Sequence, residues 1–483
     1  EARKIVADPD QPFNFLIEGD NLHSLKLLEK THKEKIDVIY IDPPYNTKNK
    51  EFIYDDCMIG EDDGYRHSKW LSFMEKRLII ARNLLKSTGV IFISIDDNEQ
   101  AQLKLLCDEI FGEDNCLGPI IQNKLNAKND TLNIQKNHEF ILVYRKKEIQ
   151  RKGKTVATIL HERIKERRVF CQGEEYFYLS DQLTTRGEGG TLNARPNLGY
   201  TIYYNPETED FIGVQDYKTE EVTAFISEEE LYKDDASLIS TGYVKIRPPL
   251  VRGQLGAWTW ELSRFNENRD MIFLKETSSG YSVHRKILVP KDDVVKAKDK
   301  LIYRQKINGN SKSIVEFSTN DGTKELKNVL GISSFNNPKN LDMIQYLIKM
   351  MRGVSITVLD FFAGSGTTGH AVAALNEEDG GNRKYILCTN NENNICEEVT
   401  YRRLANIQEE LPHNLKYYKT DFISKLSREE DILSDRLLSH IKEMVELENM
   451  CEIDGVNRFI FLREPDLQAW YEQGVDEDVT IYI

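Results

Sequence analysis

A four-residue turn carries the most specific chemistry in the sequence. Asp42, Pro43, Pro44 and Tyr45 follow an apolar run that ends at Ile41. Proline cannot donate to a sheet or continue a helix, so the two prolines make a rigid platform at a strand end. Asp42 and the Pro43 carbonyl can each accept one hydrogen of an exocyclic amino group, and Tyr45 can stack on a flat base. Two such acceptors draw the amine lone pair out of conjugation, so that it can attack a methyl group. The alternative is an ordinary turn around a buried tyrosine.

A glycine-rich turn late in the chain predicts a ligand-binding site. Gly364, Gly366 and Gly369 have the spacing GxGxxG between a strand that ends at Asp360 and a helix, whose first N–H groups are free to bind a ligand. The same spacing occurs in NAD, FAD and S-adenosylmethionine sites. A carboxylate at the strand end can take the ammonium of a zwitterionic ligand. A dinucleotide site instead needs an acid about 20 residues on, where the sequence has Asn390 at the end of the next strand.

Alternating strands and helices surround both turns and predict a parallel α/β sheet. The sequence predicts strands at Phe13–Ile17, Asp37–Ile41, Val90–Ile95, His138–Tyr144, Ser355–Asp360 and Lys384–Thr389. It predicts helices at Asn21–Lys30, Ser68–Leu85 and Glu99–Ile110, and another that opens at Pro338. The long middle section, with short strand-like runs and no strong helix, separates the two α/β halves. One sheet interrupted by an insertion explains this arrangement better than two separate α/β domains.

Composition narrows the class of protein. The 483 residues are 40% hydrophobic, which excludes a disordered chain, and the apolar runs are too short to span a bilayer. Seven cysteines without a CxxC pair make a disulfide framework or a zinc ribbon improbable. We expect a protein of the reducing cytoplasm with no metal in its site.

Charge is distributed unevenly along the chain. The net charge is −15, which argues against a nucleic-acid partner for the chain as a whole. Residues 121–170, however, hold 13 basic against 5 acidic residues, whereas residues 421–483 hold 6 against 16. The sequence therefore divides into an α/β part, a more basic middle and an acidic end.

Together the two turns resemble the motifs of amino-methylating DNA methyltransferases that use S-adenosylmethionine. DPPY at Asp42–Tyr45 is similar to their catalytic motif, and DFFAGSGTT at Asp360–Thr368 is similar to their cofactor motif. The catalytic motif comes first, as in the permuted subgroup called beta, and the spelling DPPY implies N6 of adenine as the target. The large insert, the string Asn390–Asn393 and the acidic tail are most similar to the modification subunit of type III restriction–modification systems.

This resemblance implies roles for individual residues. Asp42, Pro43, Pro44 and Tyr45 are the implied catalytic residues. The implied S-adenosylmethionine-binding residues are Asp20, Asn336, Pro338, Lys339, Asp360, Phe361, Phe362, Ala363, Gly364, Gly366, Thr367 and Asn390. Many relatives have an acid for the cofactor ribose where this chain has Asn390, so Thr389 and Glu392 remain alternatives. For the basic middle we expect phosphate contacts from Lys124, Lys128, Arg163, Arg167 and Arg168, with a solvated helix face as the alternative for the arginines.

The implied architecture is a Rossmann-like, circularly permuted methyltransferase sheet with a large inserted target-recognition domain. We expect the first half of the catalytic domain at 1–117, the insert at 118–331 with a sheet strand near 138–146, the second half at 332–420, and an α-rich acidic tail at 421–483. The tail would serve oligomerisation or partner binding. The implied partners are double-stranded DNA, a second copy of the chain and a separate helicase–nuclease restriction subunit.

Three other functions remain open on the sequence alone. A literal GxGxxG allows an NAD- or FAD-dependent oxidoreductase, which leaves the Asp-Pro-Pro-Tyr turn unexplained. A catalytically silent DNA-binding subunit would retain the basic middle but leaves the same turn unexplained. The amino group of cytosine N4 offers the same chemistry as that of adenine N6, so an N4-cytosine DNA methyltransferase is the nearest alternative.

Overall fold

The computed structural model describes residues 2–47, 65–125, 134–185, 187–278, 280–297, 300–331, 335–351, 353–421, 437–474 and 478–483. Contacts divide the chain into two compact units, residues 1–162 with 308–483, and residues 163–307. The first unit contains both turns. The second unit is a single stretch of chain inserted between the two parts of the first.

A ten-stranded sheet forms the centre of the first unit. In spatial order its strands are Arg3–Ile5, Asn414–Lys419, Phe13–Glu18, Lys384–Thr389, Thr357–Asp360, Ile36–Ile41, Leu85–Ile95, His138–Arg145, Cys116–Asn123 and Ile314–Glu316. The six strands from Asn414–Lys419 to Leu85–Ile95 run parallel, and His138–Arg145 is antiparallel to its neighbours. The predicted α/β class with one large, interrupted sheet is confirmed.

The strands that precede the two turns are direct neighbours in this sheet. Val358 pairs with Val38 and Leu359 with Ile39, although these residues are 320 positions apart in sequence. Both strands are fully buried runs of apolar and β-branched residues, as expected for the centre of a parallel sheet. Because parallel strands end at the same edge, both turns open onto one ligand-binding edge.

Helices cover both faces of the sheet. The main helices are Asn21–Thr31, Arg66–Leu84 and Gln100–Phe111 in the first part, and Thr319–Leu330, Leu341–Lys349, Thr367–Asp379 and Arg402–Asn406 in the second. Alternate strand residues supply the two cores: Ile39 and Ile41 face one, Val38 and Tyr40 the other. The helix that we predicted to open at Pro338 begins instead at Leu341, because the side chain of Asn340 accepts the Met343 N–H and caps it.

The second unit is built mainly of strands. Its larger sheet has the order Ile272–Thr277, Gly280–Leu288, Glu175–Gln182, His161–Gln172, Lys300–Gly309 and Val294–Ala297. A smaller antiparallel sheet consists of Phe211–Val214, Thr201–Tyr204 and Val244–Ile246. Short helices lie at Glu228–Leu231, Ala236–Ser240 and Leu262–Glu267. Tyr200, Trp258 and Phe265 form the centre of one core of this unit.

The boundaries of the compact insert are narrower than the sequence predicted. Strands Cys116–Asn123 and Ile314–Glu316 lie inside the predicted insert, 118–331, yet they pair with each other in the large sheet. Their pairing places them in the first unit, so the separate body is residues 163–307. The basic run at Arg163, Arg167 and Arg168 lies on strand His161–Gln172, so the alternative of a solvated helix face is wrong.

The acidic tail contains strands as well as helices. Its described part has helices Ile441–Asn449 and Glu464–Tyr471 and a parallel strand pair, Arg458–Ile460 with Thr480–Tyr482. Leu447 and Met450 belong to a core of the first unit. Helices are therefore only part of the tail, and some tail residues complete a core of the first unit.

A buried ion pair joins this tail to the strand Asn414–Lys419 of the large sheet. Lys416 Nζ donates to Glu446 Oε2 at 2.6 Å, and their side chains are 1% and 2% exposed. Breaking such a pair leaves an uncompensated buried charge, at about 3–5 kcal/mol. We expect Glu446→Gln to lower the free energy of unfolding by about that amount in urea titrations, and Lys416→Met/Glu446→Gln to lower it less. A double variant no more stable than Glu446→Gln would contradict this.

Candidate active site

The Asp-Pro-Pro-Tyr turn is fixed by contacts at its end. The indole N–H of the fully buried Trp70 donates to the Pro44 carbonyl at 2.8 Å. Asn46, which follows the turn, has φ of +54° and donates from its side chain to Glu99. Asparagine tolerates this left-handed conformation better than most residues. The turn is thus held by groups outside its own four residues.

Three charged side chains contact the hydroxyl of Tyr45, and a fourth, Lys124, pairs with one of them. We name Lys124, Glu139, Lys339 and Asp42 the charge cluster. Tyr45 Oη lies 2.9 Å from Asp42 Oδ1 and 3.1 Å from Glu139 Oε2, and it accepts from Lys339 Nζ at 2.8 Å. Lys339 Nζ also lies 3.0 Å from Asp42 Oδ1 and 3.3 Å from Glu139 Oε2, and Lys124 Nζ is 3.1 Å from Glu139 Oε1. The cluster pairs two acids with two bases.

Burial and charge act in opposite directions on these groups. Burial raises the pKa of Asp42 above its ordinary value; Lys339 lowers it and Glu139 raises it further. Burial would also raise the pKa of Glu139, but Lys339 and Lys124 outweigh this and the pKa lies below its ordinary value. The pKa of Lys339 is raised, since the carboxylates of Asp42 and Glu139 outweigh the effect of burial. Lys339 therefore stays protonated at neutral pH.

The glycine turn has a left-handed backbone at two positions. Gly364 has φ of +48° and Gly366 has φ of +75°, a region that side chains rarely allow. A Cβ on Gly364 would lie 3.2 Å from the ring of Phe335, and one on Gly366 would lie 3.1 Å from the Thr400 side chain. Glycine at these positions lets the backbone approach whatever occupies the space beside the turn.

Asp360 ends the neighbouring strand as a buried acid. Its Oδ1 accepts the Phe362 N–H at 3.0 Å and its Oδ2 accepts the Thr368 hydroxyl at 2.6 Å. Burial raises the pKa of Asp360 to about 7, and the two hydrogen bonds offset burial only in part. A carboxyl that is half protonated near neutrality, without a cation beside it among the described residues, is suited to receive one from a ligand.

A buried arginine stabilises the glycine turn through hydrogen bonds. Arg403 is fully buried and donates to the Ser365 carbonyl at 3.3 Å and to the Thr367 hydroxyl at 2.8 Å. Glu325 balances its charge from the helix Thr319–Leu330. The Thr400 hydroxyl also donates to the Gly364 carbonyl. These contacts fix the turn without occupying its ligand-facing side.

Asp20 lies at the start of the first helix. Its Oδ1 accepts the Leu22 and His23 N–H groups at 2.9 and 3.2 Å, and its Oδ2 lies 3.3 Å from Arg77. Arg77 in turn donates to Asn21 at 2.6 Å, and Asn21 donates to the Phe361 carbonyl at 2.9 Å. The chain of contacts links Asp20 to the glycine turn.

An open cavity lies between the two turns, and its empty space, open solvent included, is about 300 Å³. Its lining includes Asp42 from one turn and Asp360, Phe362 and Gly364 from the other, together with Lys339. The remaining lining residues are Tyr40, Phe335, Asn337, Ala363, Ser365, Thr367 and Thr368. One cavity is therefore lined by the predicted catalytic residue Asp42 and by six of the predicted cofactor residues.

Other predicted site residues lie in varied positions. Asn336 is exposed, Pro338 is buried, and Asn390 is half-buried just after strand Lys384–Thr389. Lys339 was predicted as a cofactor residue, and its ammonium contacts the Asp-Pro-Pro-Tyr turn. Phe361 is fully buried, and its backbone carbonyl accepts a hydrogen bond from the side chain of Asn21.

The predicted phosphate-contacting residues differ in their exposure and in their partners. Lys124 is only 21% exposed and is paired with Glu139. Arg168 is exposed, while Arg167 donates to Gln305 at 3.1 Å. Arg163 lies on the same strand, and Lys128 lies outside the described residues.

Sequence reasoning missed Glu139 and Arg403. Glu139 is the second residue of the antiparallel strand His138–Arg145, and Phe140 pairs with Ile95, so the start of that strand lies at the ligand-binding edge. An acid near the start of an apolar strand that follows a basic stretch is the signal that was available. No local pattern identified Arg403, whose hydrogen-bond partners lie 33 or more positions away.

The cavity residues fit S-adenosylmethionine. The left-handed glycines allow the tight turn whose Gly364 lines the cavity, the helix Thr367–Asp379 starts beside it, and Asp360 can face an ammonium. Among the residues that the structure describes, no group of three His, Cys, Asp or Glu side chains is placed to hold a metal ion. Nor is any helix in the described ranges long and apolar enough to cross a membrane.

Fold and site together define an α/β protein with a ligand cavity at the carboxyl edge of a parallel sheet. The family model N6_N4_Mtase, described as DNA methylase, matches residues 36–400. This range contains both turns and most of the chain, so the protein belongs to the N6/N4 DNA methylase family.

Individual relatives agree with this family. The chain is 34% identical over 408 residues to the type III restriction-modification enzyme EcoPI Mod subunit of Escherichia phage P1, covering 78% of this chain and 58% of that protein. It is 33% identical over 396 residues to the type II methyltransferase M.KpnI of Klebsiella pneumoniae, covering 80% and 84%. It is 30% identical over 452 residues to the StyLTI Mod subunit of Salmonella typhimurium, covering 84% and 57%. The matches thus span less than two thirds of either Mod subunit.

Proposed function

We propose that the protein transfers a methyl group from S-adenosylmethionine to N6 of adenine in double-stranded DNA. The observation that carries this is the single cavity lined by both Asp42 and Asp360, which joins an amine-accepting turn to a cofactor-type turn. An NAD- or FAD-dependent oxidoreductase would have no use for the first turn. Family membership supports the same conclusion.

The two turns divide the work of the reaction. Asp42 and the Pro43 carbonyl accept the hydrogens of the target amino group, and Tyr45 stacks on its ring, which is worth roughly 1–3 kcal/mol. The adenine must be flipped out of the duplex to reach them. Asp360, the Phe361–Thr367 turn and Asp20 hold the cofactor, with the Asn336–Lys339 segment and Asn390 at its margins. S-adenosylmethionine, when bound, supplies the methyl group, and alignment of the reactants provides most of the acceleration.

The remaining parts of the chain are assigned by their charge and position. We infer that the unit 163–307 recognises the DNA target, with Arg163, Arg167 and Arg168 contacting phosphate alongside Lys124 and Lys128. The strand of the cofactor turn follows that of the catalytic turn in sequence but lies beside it in the sheet, which supports the permuted arrangement. Likeness to Mod subunits of restriction-modification enzymes supports a separate restriction subunit as a partner. We also propose that two copies of the chain assemble as a homodimer.

Long-read sequencing tests this function directly. The chain is expressed in a host that lacks its own DNA methyltransferases, and the DNA is read for modified bases. We expect N6-methyladenine at one recurring sequence. Modified cytosine at a recurring site would instead favour the N4-cytosine alternative, and unmodified DNA would count against methylation of either base.

Cofactor binding should depend on pH through Asp360. The pKa of its carboxyl is raised to about 7 by burial, so it is neutral below that pH and ionised above it. Because only the ionised form attracts an ammonium, affinity for S-adenosylmethionine should fall about tenfold per pH unit below pH 7. Isothermal titration calorimetry between pH 5.5 and 7 measures this, and Asp360→Asn should bind weakly with no such slope. Equal slopes in both proteins would exclude Asp360 as the source.

A further inference from the structure

In the charge cluster, basic and acidic side chains alternate, and three of the four contact the hydroxyl of Tyr45. Along the order Lys124, Glu139, Lys339, Asp42, neighbouring charged atoms lie 3.1, 3.3 and 3.0 Å apart. Of these two bases, Lys339 is the one that contacts both acids. We propose that Lys339 is a positioning residue whose ammonium keeps the Asp42 carboxyl ionised and so able to accept a hydrogen of the substrate amino group. The inference rests on the proposed methyl transfer.

Tyr45 alone cannot satisfy the two acids. Its hydroxyl is within hydrogen-bond distance of both Asp42 and Glu139, but it has a single proton and donates it to one of them at a time. The other carboxylate then faces the oxygen lone pairs. The Lys339 ammonium has three donors and lies within 3.3 Å of the hydroxyl and of both acids. It therefore completes the hydrogen bonds that Tyr45 leaves unmade.

Among the described residues, the elements around Asp42 supply no cation other than Lys339 within ion-pair distance of its carboxylate. Facing it are Tyr40 from its own strand, Asp360 from the neighbouring strand, Glu139 from the antiparallel strand and Tyr45 from the turn. Each of these four groups is neutral when protonated and negative when ionised, so none of them is a cation. Lys124 reaches only the far oxygen of Glu139. Without Lys339, burial and the charge of Glu139 would act on Asp42 against the hydrogen bond from Tyr45 alone, and a neutral carboxyl would be favoured.

Protonation of Asp42 would impair its proposed task. A carboxylate accepts through both oxygens, whereas a carboxylic acid uses one of them as a donor. A protonated Asp42 also cannot take the proton that the amino nitrogen loses after it is methylated. The side chain of Lys339 is 12% exposed and that of Glu139 is 10% exposed, so water screens their effect on Asp42 only weakly.

Infrared difference spectroscopy on the full chain measures the protonation of Asp42. The C=O stretch of its protonated carboxyl is isolated by subtracting the spectrum of the matching protein with Asp42→Asn. In Lys339→Met we expect the titration midpoint of Asp42 to lie about 1–3 pH units above that of the wild type. Lys339→Arg, which keeps the charge, should leave the midpoint near the wild-type position.

Methylation rates supply the functional readout. The rates are measured with unmethylated genomic DNA and labelled S-adenosylmethionine. In Lys339→Met, the acidic limb of the pH profile of kcat should move to higher pH by as many units as the titration midpoint of Asp42. Adding Glu139→Gln should move the limb partly back, because one repelling carboxylate is gone. A purely structural lysine would lower kcat equally at every pH without moving the limb.

The two measurements separate the possible failures. A midpoint for Asp42 in Lys339→Met that equals the wild-type midpoint would overturn the assignment. So would a limb that Glu139→Gln does not move back. A shifted midpoint in a protein whose wild type transfers no methyl group to DNA would refute the proposed function while leaving the charge assignment standing.

Discussion

Replacing Asp42 with asparagine is expected to slow methyl transfer to DNA by about 10²–10⁴-fold. Asparagine keeps the shape of the side chain but removes the negative charge, and its amide NH₂ competes as a donor where the substrate amine requires an acceptor. It also leaves Lys339 with Glu139 as its remaining acidic partner in the charge cluster. Single-turnover rates with labelled S-adenosylmethionine measure the loss.

Cofactor binding should survive the same substitution, since Asp360 and the glycine turn are unchanged. Calorimetry should give a dissociation constant for S-adenosylmethionine within a few-fold of the wild type. Asp466→Asn is the matched control, because Asp466 is an exposed aspartate paired with Arg463 at 3.4 Å on the helix Glu464–Tyr471. It should methylate at the wild-type rate. A wild-type rate in Asp42→Asn would show that the Asp-Pro-Pro-Tyr turn is not catalytic.

Replacing Gly364 with valine is expected to weaken S-adenosylmethionine binding by about 5- to 150-fold. A β-branched side chain is strained at φ of +48°, and its Cβ would lie 3.2 Å from Phe335. Strain of this kind costs about 1–3 kcal/mol, which the turn can relieve only by leaving its ligand-binding conformation. Calorimetry measures the change in affinity.

Gly380→Val is the control for backbone strain that arises away from the cofactor cavity. Gly380 has φ of +66° after the helix Thr367–Asp379, and a Cβ there would have no neighbour within 4 Å. This variant should lose stability in urea titrations but bind S-adenosylmethionine like the wild type. Comparable losses of affinity at Gly364 and Gly380 would show that the glycine turn does not form the cofactor site.

Local sequence signals predicted the two turns well. Two prolines at a strand end and three spaced glycines at a helix start constrain the backbone within a few residues. Alternating apolar runs and helices predicted one sheet, but the placement of the two turns on neighbouring strands comes from the pairing of Val358 with Val38 and Leu359 with Ile39. The charge cluster could not be predicted in the same way, since Glu139 and Lys339 come from segments 200 positions apart.

Tertiary contacts also decided features that the sequence did not indicate. The acidic tail remains a predicted assembly surface, but one of its acids, Glu446, is buried against Lys416 within the same chain. The basic run at Arg163–Arg168 lies on a strand because pairing of His161–Gln172 with its neighbours overrides local helix propensity. Both features depend on partners that lie far away in sequence.

Mass spectrometry of nucleosides tests the central claim most directly. Unmethylated genomic DNA is incubated with the protein and S-adenosylmethionine, digested to nucleosides and analysed beside a reaction containing Asp42→Asn. The proposed function predicts N6-methyldeoxyadenosine with the wild-type protein and almost none with the variant. N4-methyldeoxycytidine in its place, or no methylated nucleoside despite measured binding of S-adenosylmethionine, would contradict it.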